Sequence, residues 1–213
     1  MPGESLAQTP MLGLLLCGRR MPEGWSSDAA SVDFYDMKGE IEALLQAVDQ
    51  RLTFRSAVRP GLHDGQTAEI LLGDEVVGVM GRLHPSAAKT MNLPEQTLVA
   101  ELALASVVGR ALPDYQDISK FPEVRRDIAV IVNRETPSAS VLDTARASAG
   151  AALADARIFD VYEGDGVAEN AKSLAIGLTF RDQSRTLTDE EINESLSQVI
   201  ESLGEKLGAT LRH

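Results

Sequence analysis

Cysteine is nearly absent from this chain: Cys17 stands alone among 213 residues. A single thiol cannot close an internal disulfide, so the composition does not describe a disulfide-stapled secreted domain. Cys17 is expected to be a buried side chain without chemistry of its own. Histidine is scarce as well. His63, His84 and His213 lie far apart and no cysteine pair accompanies them, so no metal-ligand spacing is present. His63-Asp64 with a distant serine does not make a hydrolase triad. Gly78-Val-Met-Gly81 lacks the further glycine and the Lys-Ser/Thr of phosphate-binding loops. Long apolar runs are missing too. Met11 to Cys17 is apolar but too short to cross a bilayer, and Arg19-Arg20 lie on the wrong side of it for a signal peptide. It is expected to form a buried strand, and the protein to be cytoplasmic. Basic charge is in deficit, with 20 Lys and Arg against 32 Asp and Glu and a net charge of -12. Residues 1–118 carry 9 basic and 16 acidic side chains, and residues 119–213 carry 11 and 16. Neither part is a general polyanion binder, so any RNA contact requires a local basic patch and recognition of shape.

Hydrophobic residues make up 44% of the chain, enough for one large or two small cores. In the first half, Leu12–Leu16 is a strand candidate, and Met37, Ile41, Leu44, Leu45 and Val48 mark the apolar face of a helix capped by Asp33 or Asp36. Arg59 to Gly65 has the composition of a loop. Ala68, Ile70 and Leu72, the turn Gly73-Asp74-Glu75 and the run from Val76 to His84 predict a hairpin. Gly78 and Gly81 in its second strand suggest a bulge or the close approach of another backbone. Pro85 opens a short helix, and Leu98–Leu104 is a further strand. A linker is expected at 113–118.

Beyond it the pattern is βαββαβ, the split βαβ or ferredoxin-like arrangement. Ile128, Val130 and Val132 alternate as a strand. Thr136-Pro137 starts a helix with Val141, Leu142 and Ala145, Arg157–Tyr162 is a second strand, and Gly164-Asp-Gly166 is a turn. Leu174, Ile176, Leu178 and Phe180 alternate again. Thr188 and Glu191 then form a Thr-x-x-Glu capping box for a helix that ends at Gly208. Helices cover one face of such a sheet and leave the other open, and RNA-binding modules use a face of this kind to stack bases. Strict alternation puts Phe159 and Val161 on one face and Ile158, Asp160 and Tyr162 on the other. Tyr162 can stack on a base and Asp160 can accept a hydrogen bond from a base edge. Alternatively, Tyr162 is a half-buried strand residue with its hydroxyl in water. Lys120, Arg125, Arg126, Lys172, Arg181 and Arg185 fall near strand ends and turns, as phosphate contacts or as a solvated rim paired with Glu123, Asp127 and Asp182.

Several motifs carry a family resemblance. Ile118-Ser-Lys-Phe-Pro-Glu-Val-Arg-Arg-Asp-Ile-Ala-Val-Ile-Val132, Ile158-Phe-Asp-Val-Tyr-Glu-Gly164, Lys172-Ser-Leu-Ala175 and Arg185-Thr-Leu-Thr-Asp-Glu-Glu-Ile192 resemble, in order, the anticodon-binding domain of the bacterial phenylalanyl-tRNA synthetase β subunit. Val32-Asp-Phe-Tyr-Asp-Met-Lys-Gly39, Gly78-Val-Met-Gly-Arg-Leu-His-Pro85 and Glu101-Leu resemble the end of its non-catalytic core. Val58–Ile70 departs from that family's shorter His-Pro-Gly-x-x-Ala pattern. The resemblance implies an α+β protein that forms the C-terminal part of a longer β subunit. Residues 1–112 would be a truncated class II synthetase-like core with a mixed sheet, and residues 119–213 a ferredoxin-fold anticodon-binding domain. It further implies that Asp160 and Tyr162 meet the anticodon of tRNA-Phe and that the α subunit, in a heterotetramer, handles phenylalanine, ATP and Mg2+. No cofactor is then expected on this chain, and no DNA or membrane partner. Two other roles remain open: docking of the α subunit, and a small-molecule regulatory ferredoxin-like module.

Overall fold

The computed structural model describes residues 8–46, 51–108 and 120–212. The chain divides into two units, Met1–Tyr115 and Gln116–His213. The linker expected at 113–118 lies outside the described residues, as does Val48 of the first helix.

The first unit holds strands β1 (Met11–Leu16), β2 (Leu52–Ser56), β3 (Leu62–Leu72), β4 (Glu75–Leu83) and β5 (Leu98–Ala103), with helices α1 (Phe34–Leu45), α2 (Pro85–Thr90) and α3 (Leu104–Val107). The strands form one sheet in the order β1-β5-β4-β3-β2. All of its ladders are antiparallel, where a mixed sheet was expected. The connections from β2 to β3 and from β3 to β4 are too short for the crossover that parallel neighbours need. Met37, Ile41 and Leu45 of α1 pack with Ile70, Met80 and Leu102 of the sheet. Asp33 caps α1 and Asp36 returns a bond to the cap amide. Arg20 bridges both carboxylates, at 2.7 Å and 2.9 Å. Gly78 and Gly81 sit where strands approach closely. A Cβ added at Gly78 would lie 2.4 Å from the carbonyl oxygen of Glu101, and one at Gly81 would lie 2.8 Å from that of Gln66.

Three expectations are corrected here. Met11–Leu16 is an edge strand with alternating exposure, not a buried one, because among the described residues only β5 pairs with it. Cys17, just past that edge, is exposed. Part of the expected loop at Arg59–Gly65 belongs to β3, which begins at Leu62 and carries a register irregularity between Leu62 and Thr67.

The second unit runs β6 (Val124–Asn133), α4 (Ser138–Ser148), β7 (Leu153–Tyr162), β8 (Ala171–Phe180), α5 (Asp189–Leu207) and β9 (Thr210–Leu211). Its sheet order is β7-β8-β6-β9, again antiparallel throughout. This is the βαββαβ topology expected from the sequence. Leu174, Ile176, Leu178 and Phe180 of β8 are buried with Val130, Val132, Val141, Ala145, Ile192, Val199 and Leu203. Each of these side chains except the small Ala145 contributes about 1.5–3 kcal/mol by leaving water. Thr188 and Glu191 form the capping box of α5, and Gly208 ends that helix in the left-handed region at φ 62°. Helices α4 and α5 thus cover the β8 face bearing Leu174 to Phe180. The opposite face of the strand carries Ser173, Ala175, Gly177 and Thr179.

Candidate nucleic-acid interface

The open face is organised by a fault in β7. Arg157 and Ile158 pair with Gly177 and Ile176 of β8, but Asp160 pairs with Ala175 and Tyr162 with Ser173, with a register shift between Ile158 and Asp160. Phe159 is the extra residue. A bulge of this kind reverses the alternation that follows it. Ile158 therefore packs into the core, contrary to strict alternation. Asp160 and Tyr162 come to the open face, as anticipated, although by a different route. Phe159, which alternation sent to the other face, is 51% exposed.

Two arginines lie on these aromatics. The Arg212 guanidinium carbon stands 4.5 Å from the centre of the Tyr162 ring, and that of Arg125 stands 5.2 Å from the centre of Phe159. Arg212 comes from the far edge of the sheet, where its amide bonds the carbonyl of Ala129. The small residues Ala129 and Ala175 lie on the same face between these edges. The Tyr162 hydroxyl donates to the carbonyl of Asp165 at 3.2 Å, which folds the ring against the following turn. Arg125 Nε donates to Asp127 at 2.7 Å, and its guanidinium lies over Gly177. Arg157, opposite Gly177, adds a further cation to this face. Neither Phe159 nor Arg212 was singled out from the sequence. Residue 212 is distant in the chain from 162, and a bulge leaves no mark in a period-2 pattern.

The six sequence-selected cations do not form one group. Arg125 is on the open face. Lys120 is exposed just before β6. Arg181 follows β8 and pairs with Glu123 at 3.7 Å, at the opposite end of that strand from Ser173, the partner of Tyr162. Arg126 pairs with Leu178, so it faces the helices, and it bonds Asp189 in the first turn of α5 at 2.8 Å. Lys172 has the parity of Leu174 and also belongs to the helix-covered face. Arg185 makes two bonds to Glu191, at 2.8 Å and 2.6 Å. That fork and the Thr188 amide hold the Glu191 carboxyl down to about 2, from an ordinary 4.5. Asp182 is lowered chiefly by the Ser184 amide and hydroxyl. Arg126 and Arg185 therefore secure the start of α5, and the cations beside Tyr162 and Phe159 are Arg125, Arg157 and Arg212.

An aromatic ring with an arginine over it, next to an exposed carboxylate, can take an unpaired base by stacking and by a bond to its edge. Residues 119–212 match the family described as "Ferredoxin-fold anticodon binding domain", and residues 2–104 match that described as "Phenylalanyl tRNA synthetase beta chain CLM domain". The chain belongs to the phenylalanyl-tRNA synthetase β-chain family. Relatives named phenylalanine--tRNA ligase beta subunit align along nearly all of it. That of Hahella chejuensis is 45% identical over 210 residues, 99% of this chain and 27% of the relative. That of Pseudomonas syringae pv. tomato is 44% identical over 211 residues, 98% and 27%. That of Vibrio cholerae is 38% identical over 211 residues, 98% and 26%. The chain thus spans about a quarter of the length of the curated relatives it matches.

In this β-chain family member the first unit offers different chemistry. A cavity of about 530 Å³ opens beside the start of α1, lined by Phe34, Tyr35, Lys38 and Phe54 among others. The Lys38 ammonium stands 4.9 Å from the centre of the Phe54 ring. Among the described residues, no three His, Cys, Asp or Glu side chains stand together as a metal site requires. No described helix is long and apolar enough to cross a membrane.

Proposed function

We propose that the second unit binds the anticodon stem-loop of tRNA-Phe through the open face of its sheet, within the β subunit of phenylalanine–tRNA ligase. The observation that carries this is the bulge in β7, which brings Asp160 and Tyr162 side by side onto that face. Tyr162 stacks on an anticodon base, worth about 1–3 kcal/mol. Asp160, exposed beside it, accepts a hydrogen bond from the base edge. Arg125, with Lys120 and Arg181 toward the far end of the sheet, meets phosphates. The match of residues 119–212 to an anticodon-binding family supports the assignment. So does the local concentration of arginine on one face of a unit whose overall charge is acidic.

On this reading residues 1–112 are the end of the non-catalytic core, 113–118 a linker and 119–213 the anticodon-binding domain. The complex is cytoplasmic. Its α subunit, in a heterotetramer, activates phenylalanine with ATP and Mg2+ and transfers it to tRNA, with no catalytic residue on this chain. A docking role suits the first unit, since the edge strand β1 has one side unpaired among the described residues and Tyr35 and Trp25 are 76% and 100% exposed. The test is fluorescence anisotropy of the labelled stem-loop titrated with the 213-residue chain, beside the same stem with a scrambled loop. The cognate loop binds more tightly; equal binding of the two would remove the assignment.

A further inference from the structure

We infer that Phe159 and Arg125 form a second nucleobase subsite on the open face of this sheet, taking another unpaired base of a single-stranded RNA loop beside the one on Tyr162. The inference rests on the reading of that face as an RNA surface and adds a residue pair to it. Its first support is the bulge. Ile158 pairs with Ile176 on the helix-covered face, so its successor Phe159 points to the open face, and the bulge adds Asp160 and Tyr162 to that same face; a phenylalanine is thus left 51% exposed beside them. By contrast, Phe180 is fully buried, and Phe34 and Phe54 pack against the core of the first unit. Exposing this ring forgoes burial in a domain that has the core to receive it.

The second support is the floor beneath Arg125. Gly177 lies in the interior of β8, where glycine weakens a strand. A Cβ there would stand 2.9 Å from Nη2 of Arg125. The absence of a side chain leaves room for the guanidinium to lie flat over the strand, where Asp127 fixes its Nε at 2.7 Å and its carbon is 5.2 Å from the Phe159 ring centre. The arginine is thus aimed before any ligand arrives. Phe159 supplies the stacking surface and Arg125 the positive charge for the adjoining phosphate. Phe159 and Tyr162 are three residues apart, about 10 Å along a strand. Splayed loop bases on a four-stranded sheet can occupy two such platforms at once.

The experiment uses the 213-residue chain and a synthetic tRNA-Phe anticodon stem-loop carrying 2-aminopurine at one loop position at a time. Stacking on a ring quenches the probe, so the wild type quenches at two loop positions. Tyr162→Ala removes the quench at one and Phe159→Ala at the other, and each weakens binding by about 5- to 150-fold. Phe159→Leu, which keeps the apolar volume and with it the fold, also loses the second quench. If Phe159→Ala and Phe159→Leu keep both quenched positions and wild-type affinity while Tyr162→Ala weakens binding, the second subsite is wrong and the anticodon assignment stands. If the wild type itself does not prefer the cognate loop, the assignment on which the subsite rests is wrong.

Discussion

Three glycines differ in what a methyl group would meet, and substituting each with alanine should change stability in three different ways. At Gly78 the added Cβ would lie 2.4 Å from the Glu101 carbonyl oxygen and 3.1 Å from the Leu102 Cα. Those atoms are backbone of the neighbouring strand β5 and cannot step aside without opening the β4–β5 ladder. Overpacking costs about 1–3 kcal/mol, and a backbone clash belongs at the upper end. Each kcal/mol moves the midpoint of a 60–100-residue domain by about 4–8 °C, so Gly78→Ala should lower the melting of the first unit by about 10–20 °C. At Gly177 the nearest atoms are the mobile end of Arg125, at 2.9–3.2 Å. The guanidinium can move, and alanine recovers about 0.5–1 kcal/mol of chain entropy, so Gly177→Ala should be near neutral for the second unit. At Gly39, inside α1, nothing lies within 4 Å. Alanine is favoured there by about 1 kcal/mol, and Gly39→Ala should raise the melting of the first unit by about 4–8 °C. Thermal unfolding followed by circular dichroism separates the cases. A Gly78→Ala protein that melts with its parent would refute the packing of β4 on β5, and a Gly39→Ala protein that melts lower would refute the open surroundings of α1.

Two further outcomes follow from the second unit. The Glu191 carboxyl has a folded value of about 2 against an ordinary 4.5. Its stabilisation is therefore complete above about pH 4.5 and lost as pH falls toward about 2. Acid unfolding followed by circular dichroism should be less steep over that range in Glu191→Gln than in the parent; equal slopes would mean that the Arg185–Glu191–Thr188 cap does not persist in solution. Leu178, fully buried in β8, should cost about 2–5 kcal/mol as Leu178→Ala in urea denaturation. A loss under about 1 kcal/mol would mean that this strand presents its other face to the helices.

Strong local signals survive the passage from sequence to structure. The alternation of Leu174 to Phe180 gives the buried face of β8, and Thr188 with Glu191 gives the start of α5, because each depends on neighbours within a few residues. Met11–Leu16 looked buried because its residues are apolar on both faces, whereas burial depends on where the strand lies in the sheet. The strand Leu52–Ser56 has five residues and no clear alternation, and it takes its place only by pairing with β3. The candidate site was half legible. Tyr162 and Asp160 stand out as an aromatic and an acid in a strand. The contribution of Phe159 depends on a bulge that period-2 counting cannot detect, and that of Arg212 on β9 reaching across the sheet. Arg126 and Arg185 resembled phosphate contacts only while their carboxylate partners, Asp189 and Glu191, were seen as parts of a helix rather than as neighbours.

The most direct measurement of the central claim is anisotropy of the labelled tRNA-Phe anticodon stem-loop with wild-type chain, Tyr162→Ala and Arg185→Ala, each at two salt concentrations. Tyr162→Ala should weaken binding by about 5- to 150-fold at both salts, because stacking is insensitive to ions. Arg185→Ala should leave affinity and salt slope unchanged, because its guanidinium is committed to Glu191. Wild-type affinity in Tyr162→Ala, or a shallower salt slope in Arg185→Ala, would contradict recognition through the open face of this sheet.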